Sequence, residues 1–170
     1  MTTLNIAYSA NTAIVMDLSA LASSSTFLAG RESTQIDNTS NKYVDALVQG
    51  KIIVGSTPTL PCQANIYVWG SDVSLATTPI DTLDGTDSAE TLTNTTVLTN
   101  SLVLARSIPI LVATSDLTYF FEKFSVAALF GGLMPKFWGI FFAHNMTAAL
   151  KTDAGNTNSF SFNGITFTNA

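Results

Sequence analysis

Residues 119–145 form a long apolar stretch with few charges, and this stretch restricts the folds that the chain can adopt. A membrane-spanning helix needs about 20 consecutive apolar residues. Two glycines and a proline within residues 131–135 would break such a helix, and Lys136 would place a charge near its centre. Aromatic and β-branched residues on either side favour strands instead. We therefore predict two buried strands, residues 117–126 and 136–145, joined by a turn as a hairpin.

The rest of the chain shows the same succession of strand and turn signals. Residues 43–54 predict a strand that bends at Gly50, because a helix ending at that glycine would be very short. Residues 63–70 are apolar on both faces and predict a central strand, whose aromatic side we expect to be covered by a loop or by a partner subunit. Asn163 and Gly164, with alternating apolar residues on both sides, predict a second hairpin.

These signals predict a single all-β domain over residues 1–170, an antiparallel, jelly-roll-like β-sandwich of about eight or nine strands. Residues 1–12 are polar with scattered apolar groups and predict an extended N-terminal arm or an irregular first strand. Residues 72–100 are rich in threonine and aspartate and lack strong periodicity. They predict a long polar loop excursion from the sandwich.

Charge is scarce in this chain, and the scarcity bears on its partners. Charged residues make up 11% of the sequence and apolar residues 46%, and the formal net charge is −5. An acidic chain without a cluster of lysines or arginines lacks the basic footprint of a nucleic-acid-binding protein. A surface filled by uncharged polar groups repels its neighbours only weakly, which favours packing against other subunits. Because no N-terminal leader pattern is present, we expect synthesis in the cytoplasm and no membrane partner.

The sequence predicts no catalytic residues, no cofactor and no enzymatic activity, because chemically active side chains are few. Cys62 is the only cysteine and His144 the only histidine, and structural roles are expected for both, with a nucleophile–base pair as the alternative. Residues 81–90 hold the candidate metal ligands, since four carboxylates on a glycine-bearing loop can wrap a calcium ion. The alternative is a solvated turn. The four residues are Asp81, Asp84, Asp87 and Glu90.

Three stretches, residues 30–52, 84–93 and 124–145, resemble small virion proteins of tailed bacteriophages. They carry the phrases Gly-Arg-Glu-Ser-Thr-Gln, Asp-Gly-Thr-Asp-Ser-Ala-Glu and Leu-Phe-Gly-Gly-Leu-Met-Pro-Lys-Phe-Trp-Gly. The resemblance implies a jelly-roll-like protein on the capsid exterior, which decorates or cements the shell through non-covalent contacts. Its partners would be the major capsid protein and other copies of itself, as a dimer or trimer. The alternative is a tail, fibre or head-fibre component that binds a receptor or glycan through exposed aromatics such as Tyr67 and Trp69.

On this hypothesis, three groups of residues are candidates for contacts with the shell or with other copies. The N-terminal arm would dock through its apolar side chains, an exposed ion pair between Arg31 and Glu32 would lie at a subunit contact, and a turn near residues 129–134 would present large apolar groups. In the alternative, the turn residues fold back over the end of the sandwich as ordinary core. The candidates are Leu4, Ile6, Tyr8, Arg31, Glu32, Leu129, Phe130 and Met134.

Overall fold

The computed structural model describes residues 4–152 and 158–169 of the chain. Within these ranges the chain forms eleven strands and two short helices, so the prediction of an all-β fold is confirmed. The strands are β1 (Leu4–Tyr8), β2 (Thr12–Ile14), β3 (Ala29–Glu32), β4 (Ile36–Asp37), β5 (Asp45–Ile53), β6 (Cys62–Ser71), β7 (Ala89–Thr91), β8 (Val103–Ile110), β9 (Thr118–Ser125), β10 (Phe137–His144) and β11 (Ser159–Asn169). The helices are α1 (Thr95–Ser101) and α2 (Val126–Leu129).

The strands form two antiparallel sheets that we name A and B. Sheet A has the order β1–β11–β5–β9, and β2 continues β1 along β11. Sheet B has the order β7–β3–β10–β6–β8, and β4 continues β3 along β10. We count β1 and β2 as one interrupted strand, count β3 and β4 as another, and leave out β7. Eight strands then remain, and when they are renumbered along the chain their order is 1-8-3-6 in sheet A and 2-7-4-5 in sheet B. This strand order is that of a jelly roll, built from two Greek keys.

The main core lies between the inner faces of the two sheets. Along β5, Ala46, Val48 and Ile52 are buried and face inwards, as alternation along a strand requires. Trp138 of β10 meets Phe162 of β11 edge to face, with ring centroids 5.3 Å apart. Other large side chains in this core are Ile66, Val68, Phe124, Ile140, Phe142 and Phe160. The aromatic-rich strands β10 and β11, one from each sheet, therefore supply much of the packing.

A second core lies on the outer face of sheet B, the face turned away from sheet A. It is covered by the connection between β6 and β8, residues 72–102, which we name the insert and which contains β7 and α1. Leucines spaced along the insert pack on aromatic residues of β6 and β10. The members of this core are Tyr67, Trp69, Leu75, Leu83, Leu92, Leu98, Leu102, Phe141 and Ala143. The expectation that a loop covers the aromatic side of the central strand is confirmed.

The hairpin predicted from residues 117–126 and 136–145 is wrong in its pairing. Both strands exist as β9 and β10, but β9 belongs to sheet A and β10 to sheet B. Between them lie α2 and then Gly131 and Gly132, whose positive φ of 70° and 89° suits glycine and lets the chain cross between sheets. As the edge strand of sheet A, β9 is not buried along its length: three of its residues are exposed, four are half-buried and Phe124 alone is buried. No helix among the described residues is long and apolar enough to cross a membrane.

The hairpin predicted at Asn163 and Gly164 is also wrong, because β11 runs through both residues without a turn. Gly164 pairs with Ala46 of β5, and a side chain at position 164 would collide with the ring of Tyr43. The glycine is therefore needed for the close approach of an aromatic ring, which is another common reason for glycine inside a strand.

The N-terminal region and the central strands follow the expectations more closely. Residues 4–8 form β1, which pairs with β11 along its length, so the first-strand alternative holds for them, and residues 1–3 lie outside the described residues. The strand expected around Gly50 is β5, which runs through this glycine without interruption and pairs with β11 in one register, whereas its register with β9 shifts between Val48 and Gly50. The expected central strand is β6, which is buried along most of its length.

Candidate interaction surface

Three of the candidate contact residues lie in line on β1, at the edge of sheet A. Leu4, Ile6 and Tyr8 are 61%, 61% and 64% exposed, and alternation along the strand places them on one face. On β11, Ile165 lies opposite Tyr8 and Phe167 lies opposite Ile6, so these two side chains share that face. The structure therefore brings the three N-terminal candidates together with two residues from the other end of the chain.

This face is the outer face of sheet A. Phe160 and Phe162 belong to the core between the sheets, so alternation along β11 turns Ile165 and Phe167 outwards. Phe167 is 53% exposed. We name these side chains the apolar row: Leu4, Ile6, Tyr8, Ile165 and Phe167. Large apolar groups that cluster on a surface mark interaction sites, whereas single exposed ones are ordinary.

Arg31 and Glu32 do not form the predicted ion pair with each other. They are neighbours on β3, and alternation sends their side chains to opposite faces of sheet B. The Arg31 Nε donates to Asp87 Oδ1 at 2.6 Å, and Nη2 donates to the Asp87 carbonyl at 3.0 Å. Arg31 therefore ties the insert to β3 and is not a free group at a subunit contact.

Glu32 is fully buried on the outer face of sheet B, opposite Phe141 and beneath the insert. Its carboxylate accepts hydrogen bonds from the backbone N–H groups of Asp84, at 3.0 Å, and Gly85, at 3.1 Å. Burial raises the pKa of Glu32 to about 8, although the two hydrogen bonds act in the opposite direction; the Asp84 and Glu90 carboxylates add to the rise. Glu32 thus fastens the insert and is not exposed to a partner.

The four carboxylates considered as calcium ligands do not converge. Asp81 accepts hydrogen bonds from the N–H and the hydroxyl of Thr93, both at 2.6 Å, and these bonds lower the pKa of Asp81. Asp84 and Glu90 accept bonds from hydroxyls of nearby insert residues, and Asp87 is held by the arginine described above. Over residues 4–152 and 158–169, no three carboxylate, histidine or cysteine side chains group to hold a metal. This arrangement gives the calcium alternative no support, and the four side chains instead bond to residues of the insert and of β3.

The turn residues fold back onto the sandwich. Leu129, Phe130 and Met134 are partly buried and pack against the core between the sheets. Phe130 lies so close to Gly70 of β6 that a side chain at position 70 would collide with its ring. Leu133 projects into solvent and is 77% exposed. The alternative in which the turn completes the core therefore describes the three candidates, and Leu133 is the exposed apolar group of this turn.

Cys62 and His144 have structural surroundings and do not form a nucleophile–base pair. Both residues are buried. The His144 Nε2 contacts the Leu21 carbonyl at 3.0 Å, and Nδ1 lies 3.5 Å from the Met146 N–H, so backbone groups occupy both ring nitrogens. Burial raises the pKa of the Cys62 thiol and lowers the pKa of His144. A protonated thiol and a neutral imidazole bound to backbone do not activate a nucleophile.

Tyr67 and Trp69, the aromatics considered for glycan binding, are buried beneath the insert. The Tyr67 hydroxyl accepts a hydrogen bond from Asn65 Nδ2 at 3.0 Å. The Trp69 ring lies over Gly139 of β10, where any side chain would collide with it. The prediction that these two rings are exposed is wrong, because the insert covers the face that they share.

An exposed aromatic side chain lies on the outer face of sheet A instead. Phe120 of β9 is 75% exposed and borders an open groove of about 460 Å³. Lys51, Lys123, Ser159 and Ser161 also line the groove. Two ammonium groups and two hydroxyls beside an aromatic ring can contact a sugar ring or an acidic group.

Phe120 and Phe167 are exposed apolar residues that are not among the candidates predicted from the sequence, whereas Leu133 lies in the turn that is predicted to present large apolar groups. The sequence does contain a signal for Phe167. Phe160 and Phe162 occupy even positions of β11, whereas Ile165 and Phe167 occupy odd positions. A strand that is apolar first on one face and then on the other produces this change of parity. The Asn-Gly sequence between the two pairs favours a hairpin instead.

Neither models of known protein families, nor the sequences of characterised proteins, nor solved structures give a significant match to this chain. A jelly roll hosts many functions, so the function of this chain follows from its exposed groups more than from its fold.

Proposed function

We propose that this protein is a structural component of a tailed-phage virion, a decoration or cement protein that binds the outer surface of the capsid shell and stabilises it through non-covalent contacts. The observation that carries the proposal is the apolar row on the outer face of sheet A. The centre of a non-covalent interface is rich in apolar groups that are removed from water when the partners meet. The apolar row supplies such groups on a rigid sheet.

The charge distribution supports the same role. The insert covers the outer face of sheet B with a polar, acidic surface that includes Asp81 and Asp84, while the apolar row lies on the opposite side of the sandwich. The outer face of sheet A thus combines the apolar row with the lysines beside Phe120, and it can attach to a shell while the acidic surface of the insert faces solvent. The sequence resemblance to small virion proteins points to the same role.

The decisive experiment is cryo-electron microscopy of particles from the phage that encodes the chain. We expect a jelly-roll density on the exterior of the shell, with the outer face of sheet A towards the major capsid protein. Density at the tail or on a fibre would replace the cement role by the fibre role. Particles that lack the chain altogether would overturn both.

A binding assay tests which face attaches. Purified chain is added to shells from particles that lack it, and cosedimentation and the temperature of shell breakage are measured. We expect the natural chain to bind and to raise that temperature, and Phe167→Asp to bind much more weakly because it places a charge in the apolar row. Val73→Asp is the matched control, since Val73 is 49% exposed on the insert side of the molecule. Equal loss of binding by both variants would contradict attachment through sheet A.

The groove beside Phe120 favours a second candidate, a tail, fibre or head-fibre component that recognises a glycan. An open groove with an aromatic ring and several polar groups is suited to a sugar ring, whose face packs on the aromatic and whose hydroxyls form hydrogen bonds. A glycan array probed with the natural chain and with Phe120→Ala tests this candidate. Specific binding that Phe120→Ala abolishes would support it, and the absence of binding, or binding that Phe120→Ala leaves unchanged, would contradict glycan recognition in this groove.

A further inference from the structure

We propose that β1 pairs with β1 of a second copy of this chain. The two strands run antiparallel around a two-fold axis at Ile6, so that sheet A of one copy continues into sheet A of the other. This inference goes beyond the proposed function, because it concerns how two copies associate and not where in a virion they are located.

The backbone of β1 presents free hydrogen-bonding groups in a defined pattern. The Ser9 N–H donates to the Gly164 carbonyl at 2.8 Å. In an antiparallel ladder every second residue faces the neighbouring strand, so Asn5 and Ala7 also direct their backbone groups towards β11. Leu4, Ile6 and Tyr8 then direct their N–H and carbonyl groups away from the sheet. The partner strand shows the same alternation: the Ile165 carbonyl, opposite Tyr8, points away from β1 and accepts a hydrogen bond from the Val44 N–H at 2.8 Å. The residues whose backbone is free are therefore Leu4, Ile6 and Tyr8.

These three residues make the edge complementary to itself. When two β1 strands pair around Ile6, each Ile6 lies opposite the other, and Leu4 of each copy lies opposite Tyr8 of the other. All three positions have outward backbone groups, so each becomes a hydrogen-bonded pair, with up to about six bonds between the copies. β1 has no charged residue, so no like charges oppose each other across the axis.

The edge strands β7, β8 and β9 are protected against such pairing, whereas β1 is not. The opposite edge of sheet A, β9, carries Glu122 and Lys123 and a break in register where it pairs with β5. One edge of sheet B, β8, contains Arg106 and Pro109, and the other, β7, has three residues including Glu90. Charges, prolines, bulges and short strands are the devices that keep edges from pairing. Among the described residues, the five-residue edge formed by β1 has none of these devices.

Pairing of the edges would also join the apolar rows of the two copies. Side chains on a sheet stand perpendicular to it, so the pairing leaves Phe167 and its neighbours on the outer face exposed. The two rows then form one apolar surface across the two-fold axis. The dimer therefore supplies a larger surface for a shell than the single chain does, and dimer formation and shell attachment use different groups, backbone for one and side chains for the other.

Sedimentation velocity at micromolar concentration tests the pairing. We expect the natural chain to be a dimer and Ile6→Lys to be a monomer, because the substitution places two lysines opposite each other at the axis. Phe120→Lys is the matched control, an equally drastic change at an exposed position on the other edge of sheet A, and should remain a dimer. Circular dichroism verifies that each variant is folded. A natural chain that is monomeric, or an Ile6→Lys variant that is as dimeric as the control, would overturn the proposal.

Cysteine cross-linking tests the register. In a hydrogen-bonded antiparallel pair the Cα atoms are about 5.5 Å apart, within the range that a disulfide bridges. Ile6→Cys should therefore oxidise to a covalent dimer. The two copies of Asn5→Cys would be offset along the strands, with Cα atoms roughly 8 Å apart, too far for a disulfide. The natural Cys62 is buried and should not interfere. If Asn5→Cys cross-links as readily as Ile6→Cys, the axis is not at Ile6.

The two proposals can fail separately. A dimer that does not bind shells would contradict the cement role and leave the edge pairing intact. A monomer that binds shells and loses binding on Phe167→Asp would contradict the edge pairing and leave the cement role intact.

Discussion

The outer faces of sheets A and B both carry large apolar side chains, but over the described residues only the outer face of sheet B is covered by another part of the chain. On sheet B, Tyr67 and Trp69 alternate with core residues, so β6 is apolar on both faces, and the insert covers the outer one. On sheet A, the apolar row and Phe120 also point away from the core, but all of these side chains except the half-buried Ile165 are exposed. An apolar outer face therefore predicts that something covers it. Whether the cover is another part of the chain or another molecule depends on which connection is long enough to reach that face.

The largest expected effect is on the covered face. Trp69→Ala should lower the free energy of unfolding by about 3–5 kcal/mol, because it leaves a cavity between sheet B and the insert. Urea denaturation followed by circular dichroism measures the loss. Val73→Ala is the control, because Val73 belongs to the insert but is half exposed, and it should cost less than about 0.5 kcal/mol. Similar losses for the two variants would show that the insert does not depend on the aromatic face.

The second-largest expected effect is a pH dependence of the free energy of unfolding, which comes from Glu32, the buried residue that holds the insert on β3. Burial raises the pKa of Glu32 from its ordinary value of 4.5 to about 8 in the folded chain, so folding favours the protonated form. The stability from this group is complete below about pH 4.5 and is lost as the pH rises towards 8. Between pH 5 and 8 the free energy of unfolding of the natural chain should fall by on the order of 3 kcal/mol relative to that of Glu32→Gln, because glutamine does not titrate.

Urea denaturation of both proteins at several pH values measures this difference. Groups such as Asp81, whose pKa is lowered, contribute equally to the two chains and cancel in the comparison. A difference that does not change with pH would show that Glu32 is solvated and that the insert opens readily at this point.

A smaller effect compares two ion pairs. The pair between Arg31 and Asp87 connects sheet B to the insert and is mostly shielded from solvent, whereas the pair between Lys151 and Asp116 is largely exposed. Asp87 also accepts hydrogen bonds from the backbone N–H of Asp17. Asp87→Ala should therefore cost about 1–2 kcal/mol. Asp116→Ala should cost less than about 1 kcal/mol. Thermal denaturation at matched salt measures both, and an equal cost would place Asp87 among ordinary surface charges.

The smallest effect is expected on the exposed face. Phe120→Ser should change the free energy of unfolding by no more than about 0.5 kcal/mol, because the ring is already in water in the folded chain. Denaturation by urea measures this change as well. A loss comparable to that of Trp69→Ala would mean that the ring is covered in solution, and the contrast between the two faces would disappear.

Much of the fold could be read from local patterns, and the failures share one cause. The strands at β5, β6, β9 and β10 follow from alternation and from aromatic enrichment, since these signals act over a few residues. Which strands pair is decided by contacts between residues far apart in the chain. Local patterns therefore predict one hairpin from β9 and β10, although the two strands lie in different sheets. They likewise predict a turn at Gly164, although the reason for this glycine is Tyr43, more than a hundred positions earlier.

For the candidate interaction surface, too, the sequence predicts the character of the residues, and the pairing of distant strands decides where they lie. The apolar character of Leu4, Ile6 and Tyr8 is a property of the sequence, and so is the scarcity of charge around them. Their position beside Phe167 follows from the pairing of the first strand with the last. The burial of Glu32 and its pKa follow from the insert, which no local pattern connects to β3.

Local patterns in the chain establish an all-β sandwich whose surface carries little charge and whose apolar groups are too many for one core. Which of those groups are hidden and which are exposed depends on the pairing of distant strands, because burial is set by the distances between side chains in space. Only the jelly-roll order places the insert over sheet B and leaves the β1 edge of sheet A open.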